Sequence, residues 1–277
     1  MSDRRLLVVG LGYLGRAVAD LAHAAQWEVT GTATTPEKES ADFEVAGLDL
    51  TDRAQVLQFF ESRPPFDWTV CSVSTRGGKP EDYERIYLGG CRNLVEAGAR
   101  VLFVGSTSVY GQTGGEWVTE TSPTEPAAAT GEVLLQTEKV VRAHGGSVVR
   151  MAGLYGPGRS VLVRKFLDGS ARIEAGGKRW INQAHRDDAA GAIVHLIDGR
   201  ADAGIYNLSD HTPMKQLAIY QFLADHFEQP LPPEGPATSG KRRGRSNKRV
   251  SNATLRATGW APRYPDFPSA IRERAAG

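Results

Sequence analysis

Gly10-Leu11-Gly12-Tyr13-Leu14-Gly15 spells G-x-G-x-x-G directly after the apolar run Leu6-Leu7-Val8-Val9 and directly before a stretch of helical spacing. In that setting the glycines have separate tasks: a tight turn, close backbone approach to a pyrophosphate, and packing of helix on strand. A helix beginning at Tyr13 and Leu14 presents its first N–H groups and the positive end of its dipole to an anion. The chemistry indicated is dinucleotide binding, against the plainer alternative of a glycine-rich turn with no ligand. A ribose-binding carboxylate belongs about 20 residues further on. The chain has Thr30-Gly31-Thr32-Ala33-Thr34-Thr35 there, with no acid before Glu37. Without that charge a 2′-phosphate is not repelled, and Thr34 and Thr35, with Lys38 nearby, offer it hydrogen bonds. The reading leans to NADP; an ordinary polar loop that accepts NAD is the alternative.

The second chemical cluster is Ser106-Thr107-Ser108, after the apolar run 101–104. The carboxyl end of a central strand is where open α/β sheets hold their ligands. Serine and threonine there also suit plain turn and helix capping.

These residues need a scaffold, and the chain spells one. Strand-like runs at 6–9, 27–32, 43–48, 68–73, 101–104 and 147–151 alternate with helical stretches at 13–26, 51–62, 81–97 and 126–144. That rhythm predicts a doubly wound parallel sheet of the Rossmann type, an α/β fold. After Gly153 the rhythm loosens, although 187–197 is helical and 205–208 strand-like. We expect a dinucleotide-binding domain over 1–152, with 186–208 returning to it. A smaller substrate lobe is expected from 153–185 and 209–277. The tract 230–244, poor in apolar residues, reads as a mobile loop.

Composition narrows the function. The 277 residues are 40% hydrophobic and 23% charged, with 33 basic against 32 acidic side chains for a net charge of +1. A dedicated nucleic-acid binder shows a basic excess that this chain lacks. Two cysteines, Cys71 and Cys91, exclude a disulfide framework and zinc ribbons and fit a reducing compartment. No apolar stretch reaches the ~18 residues of a membrane span, and no signal-type segment follows the first strand. The expectation is a soluble, cytoplasmic chain of enzyme size whose partner is a small molecule, not a membrane or a nucleic acid.

Further motifs carry a family resemblance. They are Asp49-Leu50-Thr51-Asp52; Ser72-Val73-Ser74; Ser106-Thr107-Ser108-Val109-Tyr110-Gly111; Arg150 with Tyr155-Gly156-Pro157-Gly158-Arg159; Trp180-Ile181-Asn182 with His185 and Asp187-Asp188; Ile205-Tyr206-Asn207; and the segment 255–262. Together they resemble the extended short-chain dehydrogenase/reductases, the NAD-dependent epimerase/dehydratase family. The resemblance implies that Asp49 faces the adenine amino group with Leu50 beside it, and that Ser72, Val73 and Ser74 line the adenosine ribose. It implies that Ser106 hydrogen-bonds the reacting oxygen of the substrate, with Thr107 giving a further hydrogen bond. Many relatives form homodimers.

The resemblance breaks at the family's Tyr-x-x-x-Lys pair. Thr130 stands at the tyrosine position and Leu134 at the lysine position, while Glu138, four residues on, keeps the family's acid. A threonine hydroxyl is too weak an acid to replace a tyrosine near neutral pH. Together with the shortened glycine motif, this points to an atypical branch of the family. A replacement proton donor is sought in Tyr155, on the turn that lies beside the nicotinamide in relatives, then in His185 and Tyr110. The run Lys241-Arg242-Arg243-Gly244-Arg245-Ser246-Asn247-Lys248-Arg249 carries six positive charges in nine residues. It is read either as a solvated loop or as a contact to an anionic substrate. The functional expectation is an oxidoreductase or epimerase/dehydratase-like enzyme acting on a small polar, anionic substrate, with a non-catalytic sensor or scaffold as the alternative.

Overall fold

Leu6, Leu7, Val8 and Val9 are all sealed from solvent, so the strand they form lies inside a sheet covered on both faces. Successive side chains alternate: Leu6 and Val8 join the core on one face, Leu7 and Val9 the core on the other. The computed structural model describes residues 4–35, 42–75, 77–236 and 246–275.

The chain runs β1 (Arg5–Val9), α1 (Tyr13–Ala24), β2 (Glu28–Ala33), β3 (Glu44–Gly47), α2 (Arg53–Glu61), β4 (Trp68–Cys71) and α3 (Pro80–Tyr83). A π-helical segment (Glu84–Gly89) carries α3 into α4 (Gly90–Glu96). Then come β5 (Val101–Ser106), β6 (Glu116–Val118), α5 (Ala129–Ala143), β7 (Ser147–Met151), β8 (Gly153–Tyr155), α6 (Val161–Leu167), β9 (Trp180–Ile181), β10 (Gln183–His185) and α7 (Arg186–His195). The last elements are β11 (Ile205–Leu208), β12 (Met214–Lys215), α8 (Gln216–Phe227), β13 (Lys248–Val250), α9 (Ala253–Ala257) and α10 (Phe267–Ala275).

Seven strands form one parallel sheet in the order β3-β2-β1-β4-β5-β7-β11. The strand order reverses between β1 and β4, which opens the ligand crevice of such sheets at their carboxyl ends. The helix α1 packs on α7 over one face, and α4 and α5 cover the other. A third apolar cluster lies apart from both: Tyr155, Phe166, Ile219, Tyr220, Leu223, Phe267 and Ile271. The later chain also feeds the main cores, since Leu255 and Trp260 pack with α1 and α7, and Val250 with Tyr110 and Val118.

Three differences from the sequence reading bear on the site. First, β4 stops at Cys71, not Val73, because the Ser72 hydroxyl turns back to the Gly10 carbonyl at 2.9 Å. Second, β5 runs two residues past Val104, so Ser106 is its last residue, paired with Met151 of β7. Third, part of the tract read as a mobile loop is fixed by pairing. Ile173 donates to the Pro233 carbonyl and accepts from the Gly235 amide, both at 3.1 Å. The remainder of that tract from 237 onward, and residues 241–245 of the basic run, lie outside the described residues.

Candidate functional site

The glycine loop is built by close approach. Gly10 has φ +94°, a left-handed conformation, and a Cβ there would lie 3.1 Å from Val73. A Cβ on Gly15 would sit 2.1 Å from the Gly10 carbonyl oxygen and 2.4 Å from Ser72 Oγ. Gly12 is different: a Cβ there would meet nothing within 4 Å. Gly12 also caps α1 without any side-chain hydrogen bond, and no acidic residue occupies the first turn. The loop thus keeps its own backbone tight while leaving the space over Gly12 and the start of α1, at Tyr13 and Leu14, open to an anion. Leu14 itself points inward as a core residue.

Around this loop the expected adenosine-side residues divide. Thr34 and Thr35 follow β2 directly and are exposed; Lys38 lies outside the described residues. Asp49 is exposed, and its Oδ1 accepts the amide of Thr51 at 2.9 Å and the hydroxyl of Thr51 at 2.8 Å. Leu50, expected beside the adenine, turns its side chain into the core, where it packs so closely on Gly90 that a Cβ there would approach to 2.6 Å. Ser72 and Val73 brace Gly10 from below, and Ser74 is exposed.

At the end of β5, Ser106 is half-buried and its Oγ accepts the Ser108 amide at 3.1 Å, capping the short 3-10 turn Thr107–Val109. Its hydroxyl hydrogen remains to be directed elsewhere. Thr107 is half-buried beside it. Tyr110, the third proton-donor candidate, is committed to the core. Its hydroxyl donates to Asn207 Oδ1 at 2.7 Å and accepts from Arg150 Nη1 at 2.8 Å. Arg150 is forked onto Glu138 by three contacts of 2.7 to 3.2 Å, with both side chains only 4% exposed. This network ties α5, β7 and β11 to the turn after β5. Leu134, at the family's lysine position, is buried in the adjoining core, and Thr130 lies half-buried on the first turn of α5.

Tyr155 and His185 end the paired strands β8 and β10 side by side, with ring centroids 5.3 Å apart. The Tyr155 phenol is buried with no hydrogen-bond partner among the described residues. Burial, reinforced by Asp210, Asp188 and Asp266, pushes its ionisation far above the usual tyrosine range. Tyr155 packs on Phe267 in the third cluster. A phenol so placed gives up its proton less readily than an ordinary tyrosine, which counts against Tyr155 as the proton donor. His185 is also buried, and its Nδ1 accepts the Asp187 amide at 3.3 Å to cap α7. Burial lowers its pKa below the ordinary histidine value, outweighing the nearby Asp187 carboxylate. An imidazole that accepts at Nδ1 carries its proton on Nε2, and that atom faces Gly156. Tyr155, His185, Asp187, Tyr264 and Glu273 line a small cavity of about 160 Å³.

Two features escaped the sequence reading. Lys248 looked like the tail of a basic loop but is 5% exposed. Its Nζ donates to the Tyr110 carbonyl and to Ser246 Oγ, each at 2.9 Å. Burial lowers its pKa to about 8. Arg249 donates to the Gly115 carbonyl at 2.8 Å and lies 5.1 Å from the ring centroids of both Trp117 and Trp180. The period of two in Lys248-Arg249-Val250, with Val250 buried, was the signal that Lys248 points inward.

This fold and this glycine loop define an α/β protein of the Rossmann type, and sequence comparison gives it a family. The profile of the NAD dependent epimerase/dehydratase family matches residues 6–209, and the chain belongs to that family. In sequence it is 28% identical to Protein YeeZ of Escherichia coli (strain K12), over 95% of this chain and 97% of YeeZ. Among solved structures it is similar to a Methylobacillus flagellatus protein provisionally described as an NAD-dependent epimerase/dehydratase. That similarity has TM-score 0.82 and 28% identity, over 99% of this chain and 98% of that one. It also shares its fold with the UDP-glucose 4-epimerase of Thermus thermophilus, determined in complex with NAD, at TM-score 0.80 and 20% identity over 97% and 96% of the chains. Among the described residues no helix is long and apolar enough to cross a membrane.

Proposed function

We propose that this protein is an NAD(P)-dependent enzyme of the epimerase/dehydratase type, preferring NADP and acting on a small polar, anionic substrate. The observation that carries the proposal is the contrast within the glycine loop. Gly10 and Gly15 have no room for a side chain, whereas the direction a Gly12 side chain would take is open space. That is the shape of a backbone cradle for a pyrophosphate, and the family's nicotinamide dinucleotide fits it. When bound, that cofactor supplies hydride transfer. Thr34 and Thr35 would face its adenosine ribose, and the absence of a carboxylate among Thr30 to Thr35 supports the preference for a 2′-phosphate. Ser106, whose oxygen is held by the Ser108 amide, keeps its O–H for the substrate's reacting oxygen. Thr107 lies beside it. With Leu134 in place of a lysine, proton exchange falls to His185, neutral near pH 7 by virtue of its burial. A small-molecule substrate, a homodimer and a cytoplasmic setting complete the proposal; the free thiols of Cys71 and Cys91, hydrogen-bonded at 3.9 Å, fit a reducing compartment.

One observation favours the alternative of a non-catalytic dinucleotide sensor: the Thr130 and Leu134 positions hold no proton relay, and Leu134 is buried. The test separates the two. NADPH and NADH are titrated against the apo protein by tryptophan quenching and energy transfer, followed by a screen of carbonyl substrates. Tighter NADPH binding with turnover is expected, and Ser106→Ala should then lose turnover far more than cofactor affinity. Binding without turnover on any substrate leaves the sensor, equal loss of both in Ser106→Ala removes the role given to Ser106, and tighter NADH binding overturns the NADP preference.

A further inference from the structure

The turn after β8 reaches across the molecule to the start of α1. The Tyr13 hydroxyl donates to the Pro157 carbonyl at 3.0 Å, joining residues 144 positions apart. The turn is closed by a reciprocal pair, Gly156 N–H to the Arg159 carbonyl at 2.8 Å and Arg159 N–H to the Gly156 carbonyl at 3.0 Å. Gly156 has φ +149°, and a Cβ there would stand 2.8 Å from Tyr13 Oη, 3.2 Å from Arg186 Cβ and 3.2 Å from His185 Nε2. Only a residue without a side chain lets the turn close down on Tyr13.

That approach brings two guanidinium groups to the Tyr13 ring. Arg159 lies 5.1 Å and Arg186 5.2 Å from its centroid, within cation–π range. Arg186 is paired with Asp187 at 2.8 Å, while Arg159 has no carboxylate partner among the described residues. Tyr13 is the first residue of α1, whose amino-terminal end is already electropositive and has no acid in its first turn. Two cations beside that end repel one another and the helix terminus unless an anion joins them.

We propose that Tyr13, Arg159 and Arg186 form a clamp over the phosphate cradle, in which Arg159 donates hydrogen bonds to the pyrophosphate of the dinucleotide. Tyr13 positions the turn, and Arg186 adds charge at the same ring. The clamp rests on the dinucleotide reading above and adds residues from the later half of the chain to a site otherwise made by the first. Guanidinium suits this task because its planar fork matches phosphate oxygens.

The test is a titration of the full chain with NADPH, ADP-ribose and adenosine, in wild type, Arg159→Met and Tyr13→Phe, with thermal unfolding of each apo protein as a folding control. Arg159 is exposed, and methionine keeps the apolar stem. Arg159→Met is expected to bind NADPH and ADP-ribose about tenfold more weakly, as for loss of a charge-assisted hydrogen bond, with adenosine unchanged. The deficit should grow at low salt, where charges are less screened. Tyr13→Phe should lose less on the same two ligands. Equal affinity of wild type and Arg159→Met for ADP-ribose overturns the clamp and leaves the dinucleotide reading standing. An equal loss on adenosine overturns it as well, by showing a general disturbance. Failure of wild type to bind any of the three removes the dinucleotide reading, and the clamp with it.

Discussion

The two ends of the crevice are held open by opposite means. Beside β1 the cradle is shaped by what is missing: Gly10, Gly15 and Gly31 each sit where a Cβ would press on Val73, Ser72 or Leu11. Beside β5 the wall is shaped by buried charge. Arg150, Glu138, Tyr110 and Asn207 bond to one another, and Lys248 reaches the Tyr110 carbonyl from β13. The first device leaves the backbone free for a ligand. The second uses up its own polar groups, so motif residues that look chemical are structural. Tyr110 and Arg150 hold strand ends together, while the Ser106 hydroxyl hydrogen on that side is still available.

If that division is right, the largest loss of stability comes from breaking the buried charge. Arg150→Met leaves the Glu138 carboxylate unpaired at 4% exposure, and removing one partner of such a pair costs about 3–5 kcal/mol. Chemical denaturation should show this, and Arg150→Met with Glu138→Leu should recover a large part of it. A single variant as stable as wild type would show that the network is incidental and erase the contrast.

Lys248 gives the next largest effect, and one that depends on pH. Its folded pKa of about 8 lies below the ordinary 10.5. Between those values the unfolded chain binds more protons, so stability contributed at this site rises with pH. Below pH 8 the full burial cost is present, about 3 kcal/mol for a shift of this size. Tyr110, Tyr155 and Tyr220, whose pKa values burial raises, oppose the trend above pH 10. The informative quantity is therefore wild type minus Lys248→Met between pH 8 and 10. That difference should rise in favour of wild type; a flat difference would mean that the amine is hydrated and not part of the wall.

The same contrast decides how much could be read from sequence. The bounds of β7 and β11 were legible to the residue, because short runs centred on Val148-Val149 and Ile205-Tyr206 and flanked by Gly145-Gly146 or polar turns leave little choice. The glycine loop was legible too, since Gly10 and Gly15 answer steric demands that spacing reveals, while Gly12 leaves open space. The position of Ser106 after a strand was legible, but its place inside β5 was not: the apolar run ends at Val104, whereas the sheet carries the strand on through Gly105. The surroundings of Tyr155 and Lys248 were not legible for one reason. Burial, which raises the pKa of a phenol and lowers that of an amine to about 8, is set by helices and strands far along the chain. Phe267 closes over Tyr155, and the pairing of β13 with β6 buries Lys248.

The smallest change in stability is expected at Gly12, and it is the sharpest test of the cradle. Gly15→Ala forces a methyl to 2.1 Å from the Gly10 carbonyl oxygen, and such overpacking costs about 1–3 kcal/mol. Gly12→Ala meets no protein atom within 4 Å and keeps a permitted φ of −82°, so nothing in the apo fold resists it. Its unfolding free energy should stay within about 0.5 kcal/mol of wild type. Yet the methyl occupies the space reserved here for the pyrophosphate, so NADPH titration should show a loss of affinity as large as in Gly15→Ala. Two substitutions three residues apart would then agree in binding and disagree in stability. If Gly12→Ala binds NADPH as wild type does, the phosphates do not lie over Gly12, and the openness of that position has nothing to do with a ligand.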